Sequence, residues 1–146
     1  MKKLMLVLAF VAAVAVGAQA KDTYSRDASV LPAAARSTLA KNFKAGVNIV
    51  KIDKTLSHVN DYEVILTDGT EVEFDSKGNW TNVEVGAKSS VPDGLVPQAI
   101  RSYVSKDQPK ARIVGIERER RGYSVDLSNG IEMKFDQAGK FLRYDD

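Results

Sequence analysis

The stretch YEVILTDGTEVEFDSKGNW, residues 62–80, decides the fold of this chain. Apolar and polar side chains alternate on both sides of Asp68-Gly69, which is the pattern of two half-buried strands. Asp-Gly favours a two-residue hairpin turn of type I′, in which both residues have positive φ. In the next turn, Asp75-Ser76-Lys77-Gly78, the aspartate can bond its own backbone and the glycine can take a positive φ. The stretch therefore predicts three antiparallel strands.

The same pattern returns without a gap at residues 123–141, YSVDLSNGIEMKFDQAGKF, where Asn-Gly takes the place of Asp-Gly. Upstream of each copy lies a helical pattern, an apolar stripe behind an early proline, Pro32 or Pro97. A further strand pattern follows each helix, at residues 47–54 and 111–119. We therefore predict an α+β fold built as a tandem repeat of one helix plus a four-stranded antiparallel sheet, with helices covering one face of the sheets.

The predicted domain organisation is a signal peptide at residues 1–20, a first unit at 21–85, a linker at 86–94 and a second unit at 95–146. The polar residues 21–28 are expected to form a loose lead-in. The linker, GAKSSVPDG, is small, polar and rich in turn formers. Because a unit of about 60 residues is only marginally stable alone, we expect the two units to pack on each other.

Residues 1–20 have the three parts of an export signal. Lys2 and Lys3 form the basic part, residues 4–16 are apolar, and Ala18-Gln19-Ala20 is a cleavage-site pattern. The apolar run is shorter than the roughly 20 residues that span a bilayer. We therefore expect cleavage, no stable membrane insertion afterwards, and a periplasmic or secreted protein.

The charge of the remaining chain is balanced. The sequence has 21 Lys and Arg residues, of which Lys2 and Lys3 lie in the signal, and the 19 that remain equal the 19 Asp and Glu residues. A neutral protein has no electrostatic basis for binding nucleic acid. The sequence has no cysteine, so stability has to come from core burial without disulfides.

The residue types argue against an enzyme. His58 is the only histidine, and no serine stands in a G-x-S-x-G setting, so a hydrolase triad has no base. Glu71 and Glu73 share one face of a strand, as paired acid and base carboxylates would, but no predicted pocket separates their pKa values. We interpret them as part of a solvated strand face, and we expect no catalytic residue.

The sequence also predicts no metal site and no cofactor. One histidine without cysteine cannot form a His/Cys metal cluster, so His58 is expected to lie on the surface. Asp68, Asp75 and Asp136 could bind calcium, but they lack the ligand spacing of an EF-hand loop. Turn chemistry explains these three aspartates without a metal.

The layout resembles the PepSY-like, β-lactamase-inhibitor-like family of exported bacterial proteins. The helix openings Leu31-Pro32 and Val96-Pro97 carry the resemblance, together with the paired blocks Tyr-x-Val-x-Leu-x-[Asp/Asn]-Gly-x-Glu-x-x-Phe-Asp-x-x-Gly-x-[Trp/Phe]. The resemblance implies a sheet with one face left open and a non-enzymatic binding or inhibitor-like role. The β-lactamase inhibitory protein itself is disulfide-bonded, and no local motif carries its inhibitory residues across to this chain.

The open face is expected to be mainly acidic in the first unit and mixed in the second, with Arg118, Arg120 and Arg121 adding positive charge at one rim. A solvated face without a partner is the alternative interpretation. The candidate binding residues on this face are Lys51, Asp53, Glu63, Ile65, Glu71, Glu73, Ser124, Asp126, Glu132 and Lys134.

Two functions remain open at this point. The first is an exported binding module that docks on another envelope or extracellular protein through the open face and loops, as an inhibitor would. The second is a periplasmic protein that binds a small ligand or a cation in a groove between the two units.

Overall fold

The computed structural model describes residues 22–145, so the predicted signal peptide at 1–20 lies outside the described part of the chain. The strands are Asp22–Ser25 (β1), Val47–Thr55 (β2), His58–Leu66 (β3), Glu71–Asp75 (β4), Trp80–Glu84 (β5), Ile113–Glu119 (β6), Gly122–Leu127 (β7), Glu132–Asp136 (β8) and Phe141–Asp145 (β9). The helices are Ala33–Asn42 (α1) and Gln98–Asp107 (α2), each preceded by a short 3-10 helix, Ala28–Val30 or Asp93–Leu95.

The strands form one nine-stranded antiparallel sheet in which neighbours in sequence are neighbours in space, from β1 to β9. β5 pairs with β6, with Val83 opposite Ile116, and this pairing joins the strands of the two predicted units edge to edge. The α+β class and the antiparallel sheet are confirmed, whereas two separate four-stranded sheets are not found. Along the chain, α1 is followed by β2 to β5, and α2 by β6 to β9.

One face of this sheet carries an apolar row that crosses the strands from β2 to β8. Its members lie directly opposite one another on neighbouring strands, and each is at most 1% exposed. Burial of each such side chain contributes about 1.5–3 kcal/mol. The row consists of Val50, Val64, Val72, Val83, Ile116, Val125 and Met133.

The two helices complete the core on this face. Ala35 and Leu39 of α1 are buried with the row, and so are Ile100 and Val104 of α2. Neither helix among residues 22–145 has the length and apolar character needed to cross a membrane. The helices therefore serve as a cover for one side of the sheet.

The turns at Asp68-Gly69 and Asn129-Gly130 are three-residue turns, so the predicted type I′ geometry is wrong. The Gly69 N–H donates to the Leu66 carbonyl at 3.0 Å, and the Leu66 N–H donates to the Thr70 carbonyl at 2.8 Å. Gly69 has φ +87°, but the residue before it does not have a positive φ. This is a type I turn followed by a left-handed glycine.

The alternation of the strands requires the longer turn. A two-residue turn would place Val64 opposite Glu73 and so put apolar and acidic side chains on the same face. With three residues in the turn, Val64 lies opposite Val72, and Glu73 lies opposite Glu63. The turn length therefore follows from keeping the two faces distinct.

Two segments predicted to be irregular are built into the fold. The expected lead-in contains β1, which pairs with β2 and places Tyr24 opposite Lys51. Within the predicted linker at residues 86–94, Val91 is buried and its N–H donates to the Ile113 carbonyl at 2.8 Å. Both segments are polar, so their composition did not indicate that they are ordered. Backbone hydrogen bonds hold them in the fold, and such bonds do not require apolar side chains.

Gly78, in the turn between β4 and β5, should resist substitution more strongly than Gly69. Both have a positive φ, +89° and +87°, but a Cβ at Gly78 would lie 2.8 Å from Pro32 Cβ and 3.0 Å from the Ala35 nitrogen, whereas a Cβ at Gly69 has no neighbour within 4 Å. We expect Gly69→Ala to lower the free energy of unfolding by about 1 kcal/mol and Gly78→Ala by about 2–4 kcal/mol, measured by urea denaturation. Equal losses would contradict the close approach of α1 to this turn.

Candidate functional site

The face of the sheet opposite the helices, which we call the open face, carries three rows of residues in cross-strand register. The first row runs from β2 to β9 and consists of Lys51, Glu63, Glu73, Asn82, Glu117, Ser124, Lys134 and Arg143. The second row consists of Ile49, Ile65, Glu71, Glu84, Gly115, Asp126, Glu132 and Asp145. The third row crosses β1 to β4 and consists of Asp22, Asp53, Asp61 and Asp75.

All ten residues predicted for the open face belong to these rows. The first row contains Lys51, Glu63, Glu73, Ser124 and Lys134. The second row contains Ile65, Glu71, Asp126 and Glu132, and the third row contains Asp53. The structure therefore places the predicted residues on one continuous surface.

Sequence reasoning missed several members of the face. Asn82 and Glu84 flank the buried Val83 in β5, and the alternation of that strand could have identified them. Asp145 enters the second row because β9 pairs with β8. With Glu84 and Asp145 added, the second row contains five acidic residues and no basic residue.

Three glutamates meet near the centre of β3 and β4. Glu63 lies opposite Glu73, and Glu71 lies on the same face two residues before Glu73. One carboxylate oxygen from each of the three lies within 4.8 Å of the others. Like charges placed directly opposite one another destabilise a sheet. The sheet therefore holds these carboxylates together at a cost in stability.

Burial and mutual repulsion raise the pKa values of these acids. Burial raises the pKa of Glu71 to about 7, with the charges of Glu63 and Glu84 adding to the shift. Burial likewise raises the pKa of Glu73 to about 7, with Glu63 and Glu71 as the nearest like charges. Burial also raises the pKa of Asp61, helped by the charge of Asp53.

Glu84 extends the same electrostatic region onto β5. Burial raises the pKa of Glu84 to about 7, and the charges of Asp126, Glu73 and Glu117 act in the same direction. A hydrogen bond with Asn82 opposes this shift. The interpretation of a freely solvated face is wrong for Glu71, which is only 7% exposed, as is Ser124. Glu73 and Glu84 are half-buried.

Two lysines neutralise the acids near the ends of the rows. Lys51 Nζ lies 3.3 Å from Glu63 and 3.5 Å from Asp22. Burial lowers the pKa of Lys51, but these carboxylates, Glu63 above all, outweigh that effect and raise it. The ion pairs therefore keep Lys51 charged on the face.

Lys134 makes the second set of ion pairs. Its Nζ lies 2.6 Å from Glu119, 3.4 Å from Glu132 and 3.8 Å from Asp145. Glu132 also accepts a hydrogen bond from the Ser124 hydroxyl at 2.8 Å. Between the two lysines, on β4 and β5, no salt bridge to Glu71, Glu73 or Glu84 occurs among the described residues.

Two concave regions lie on the open face and at its β9 edge. The depression, of about 180 Å³, is bordered by residues from β5 to β9, including Asn82, Glu84 and Lys134. A larger cavity of about 580 Å³ lies at the β9 edge beside Ile131 and Tyr144. Depressions of this kind are concave surfaces that a ligand or a protruding side chain can enter.

The hairpin between β2 and β3 projects an exposed leucine at its tip. Leu56 is 89% exposed and, among the described residues, it is the only one other than glycine with a positive φ, +55°. A leucine in this conformation is strained by about 1–2 kcal/mol. His58, two residues later in the chain, is exposed at the start of β3.

The structure does not place Arg118 at the predicted positive rim of the open face. Arg118 lies over the Trp80 ring, with Cζ 3.9 Å from the ring centroid. It pairs with Tyr123, on the side of the sheet that the helices cover. Arg118 therefore adds a cation–π contact to the core side and no positive charge to the open face.

The predicted calcium candidates are turn residues in the structure. Asp68 Oδ1 accepts the Thr70 N–H at 2.9 Å, and Asp75 Oδ1 accepts the N–H groups of Lys77 and Asn79, each at 2.9 Å. Asp136 makes the equivalent turn contacts in the second half. If a cation binds, Glu63, Glu71 and Glu73 are the residues that could each offer an oxygen to it.

The fold and the open face define a small α+β protein whose helices cover one side of a meandering sheet and leave an acidic side free. Residues 60–143 match the family described as "Putative beta-lactamase-inhibitor-like, PepSY-like", and the chain belongs to this family. The resemblance seen in the sequence is thereby confirmed. Among curated proteins, no significant match is found.

Solved structures from Bacteroides share the fold. A "putative periplasmic protein of unknown function" from Bacteroides vulgatus is 43% identical, with a TM-score of 0.79 over 86% of this chain and 99% of that chain. A "putative calcium-regulated periplasmic protein" from Bacteroides thetaiotaomicron is 35% identical, with a TM-score of 0.77 over 86% and 97%. Another putative periplasmic protein from Bacteroides vulgatus is 36% identical, with a TM-score of 0.77 over 89% and 100%. These descriptions support a periplasmic location for this chain.

The raised pKa of Glu71 predicts a pH-dependent stability. An unfolded glutamate ionises near pH 4.5, whereas folded Glu71 keeps its proton until about pH 7, so its contribution to stability is complete below pH 4.5 and is lost as the pH rises to 7. Glu71→Gln should leave the free energy of unfolding nearly unchanged at pH 4.5 and raise it by about 1–2 kcal/mol at pH 8. Urea denaturation at both pH values, with the exposed Asp93→Asn as control, measures this difference. A loss of stability at pH 8 would contradict it.

Proposed function

We propose that this protein is a non-enzymatic, exported binding module that docks on another envelope or extracellular protein through the open face. One observation carries the proposal: both helices cover the same side of a nine-stranded sheet, and the other side presents a continuous charged surface. Antiparallel sheets tolerate one solvated face, but an acidic surface kept in register at a cost in stability is consistent with selection for binding. Leu56 at the hairpin tip would add an apolar contact at the rim of this surface.

The same proposal includes export of the protein and its construction from two similar halves. Residues 1–20 act as a signal peptide that is removed on export. The two halves, residues 21–85 and 95–146, are copies of one helix-and-strand unit joined by residues 86–94. The matching order of elements in the two halves supports this interpretation.

Photo-crosslinking in the native host tests the docking surface. A benzoylphenylalanine at Asn82, in the first row, should form a discrete adduct with one envelope protein. The same label at Ser105, exposed on α2, is the matched control and should not form that adduct. Adducts from Ser105 alone, or none from Asn82, would contradict docking through the open face.

Divalent cation binding is a second candidate function. The cluster of Glu63, Glu71 and Glu73 favours it, and so does the 35% identical relative described as calcium-regulated. The predicted groove between two units does not separate the sheet, because β5 and β6 are paired there. A cation would bind instead on the open face.

Calcium titration tests the second candidate. If calcium binds at this cluster, calcium chloride at 100 times the dissociation constant should raise the free energy of unfolding by about 2.7 kcal/mol, and Glu73→Gln should abolish most of that increase. Asp93→Asn serves as the control that loses one charge elsewhere. An increase of equal size in both variants, or no increase in the wild-type protein, would contradict a calcium site at this cluster.

A further inference from the structure

We propose that the partner presents a basic surface, a group of lysine or arginine side chains that lies over β4 and β5 and pairs with Glu71, Glu73 and Glu84. The inference rests on the proposed function, because it takes the open face as the docking surface. The new element is the chemistry of the partner, which we infer from charge complementarity with the open face.

The distribution of charge on the open face limits the choice of partner. Lys51 and Lys134 stand near opposite ends of the first row, and both are already paired with carboxylates of this chain. Glu71 and Glu84 lie opposite each other in the second row, which has no basic member. An acidic partner would therefore meet uncompensated like charge over β4 and β5.

The charged neighbours of these glutamates come from every adjoining strand. They are Lys51 on β2, Asp61 and Glu63 on β3, Glu117 on β6 and Asp126 on β7. Only one of them is basic, and it is paired with Glu63. Carboxylates therefore outnumber basic side chains around these three glutamates.

The spacing of the carboxylates suits a basic helix. Neighbouring strands lie about 4.8 Å apart, so Glu71 on β4 and the directly opposite Glu84 on β5 present carboxylates at an interval of one strand. Lysines at positions i and i+4 of a helix are about 5–6 Å apart. A helix laid across the strands can therefore place one basic side chain over each acidic strand.

The test uses the protein without its signal peptide and an alanine-rich helical peptide of about 16 residues with lysine at every fourth position. Calorimetry at pH 8, low salt and excess EDTA should show binding that weakens ~10-fold or more in Glu71→Gln/Glu73→Gln. The double variant Asp68→Asn/Asp93→Asn removes two charges away from the face and should bind as the wild type does. Asn129 makes the same hydrogen bond in its own turn as Asp68, so this control should fold normally.

Each contrary result has a distinct meaning. Equal weakening in both double variants, or no binding by the wild-type protein, would overturn a basic partner. If the adduct at Asn82 forms in cells and Glu71→Gln/Glu73→Gln leaves it unchanged, docking through the open face stands and the basic partner does not. If no adduct forms at Asn82, the proposed function itself fails. Thermal melting of both variants confirms that they are folded.

Discussion

The register between β5 and β6 is the constraint on which the rest of the structure depends. Val83 lies opposite Ile116, and this single match continues the apolar row from the first half of the sheet into the second. The same match places Asn82 opposite Glu117 and Glu84 opposite Gly115, so the polar rows continue as well. A shift of one residue at this junction would bring acidic side chains under the helices.

The centre of the open face brings like charges together at a cost in stability. Glu63, Glu71 and Glu73 lie close enough to repel one another, and burial makes their ionisation harder. A sheet selected for stability alone would alternate opposite charges across its strands, as Lys51 and Lys134 do with their neighbours. The acidic centre is therefore the part of the sheet that stability explains least.

Much of the fold could be predicted because its signals are local. Alternation identified the strands from β2 to β9, and Gly78 has the predicted positive φ. Register is not local in the same way. The Asp-Gly dipeptide suggested a two-residue turn, yet the alternation on either side requires three, and only then does Glu63 face Glu73. The pairing of β5 with β6 had no local signal at all, so the acidic second row could not be assembled from the sequence.

Trp80 gives the junction between the halves an optical reporter. It is the only tryptophan in the chain, it begins β5, and it is covered by Arg118 from β6. Only 6% of its surface is exposed. Separation of the two halves would remove the guanidinium from the indole and admit water, which shifts the emission spectrum to longer wavelength. The protein thus carries its own fluorophore at the one strand pairing that makes two halves into one sheet.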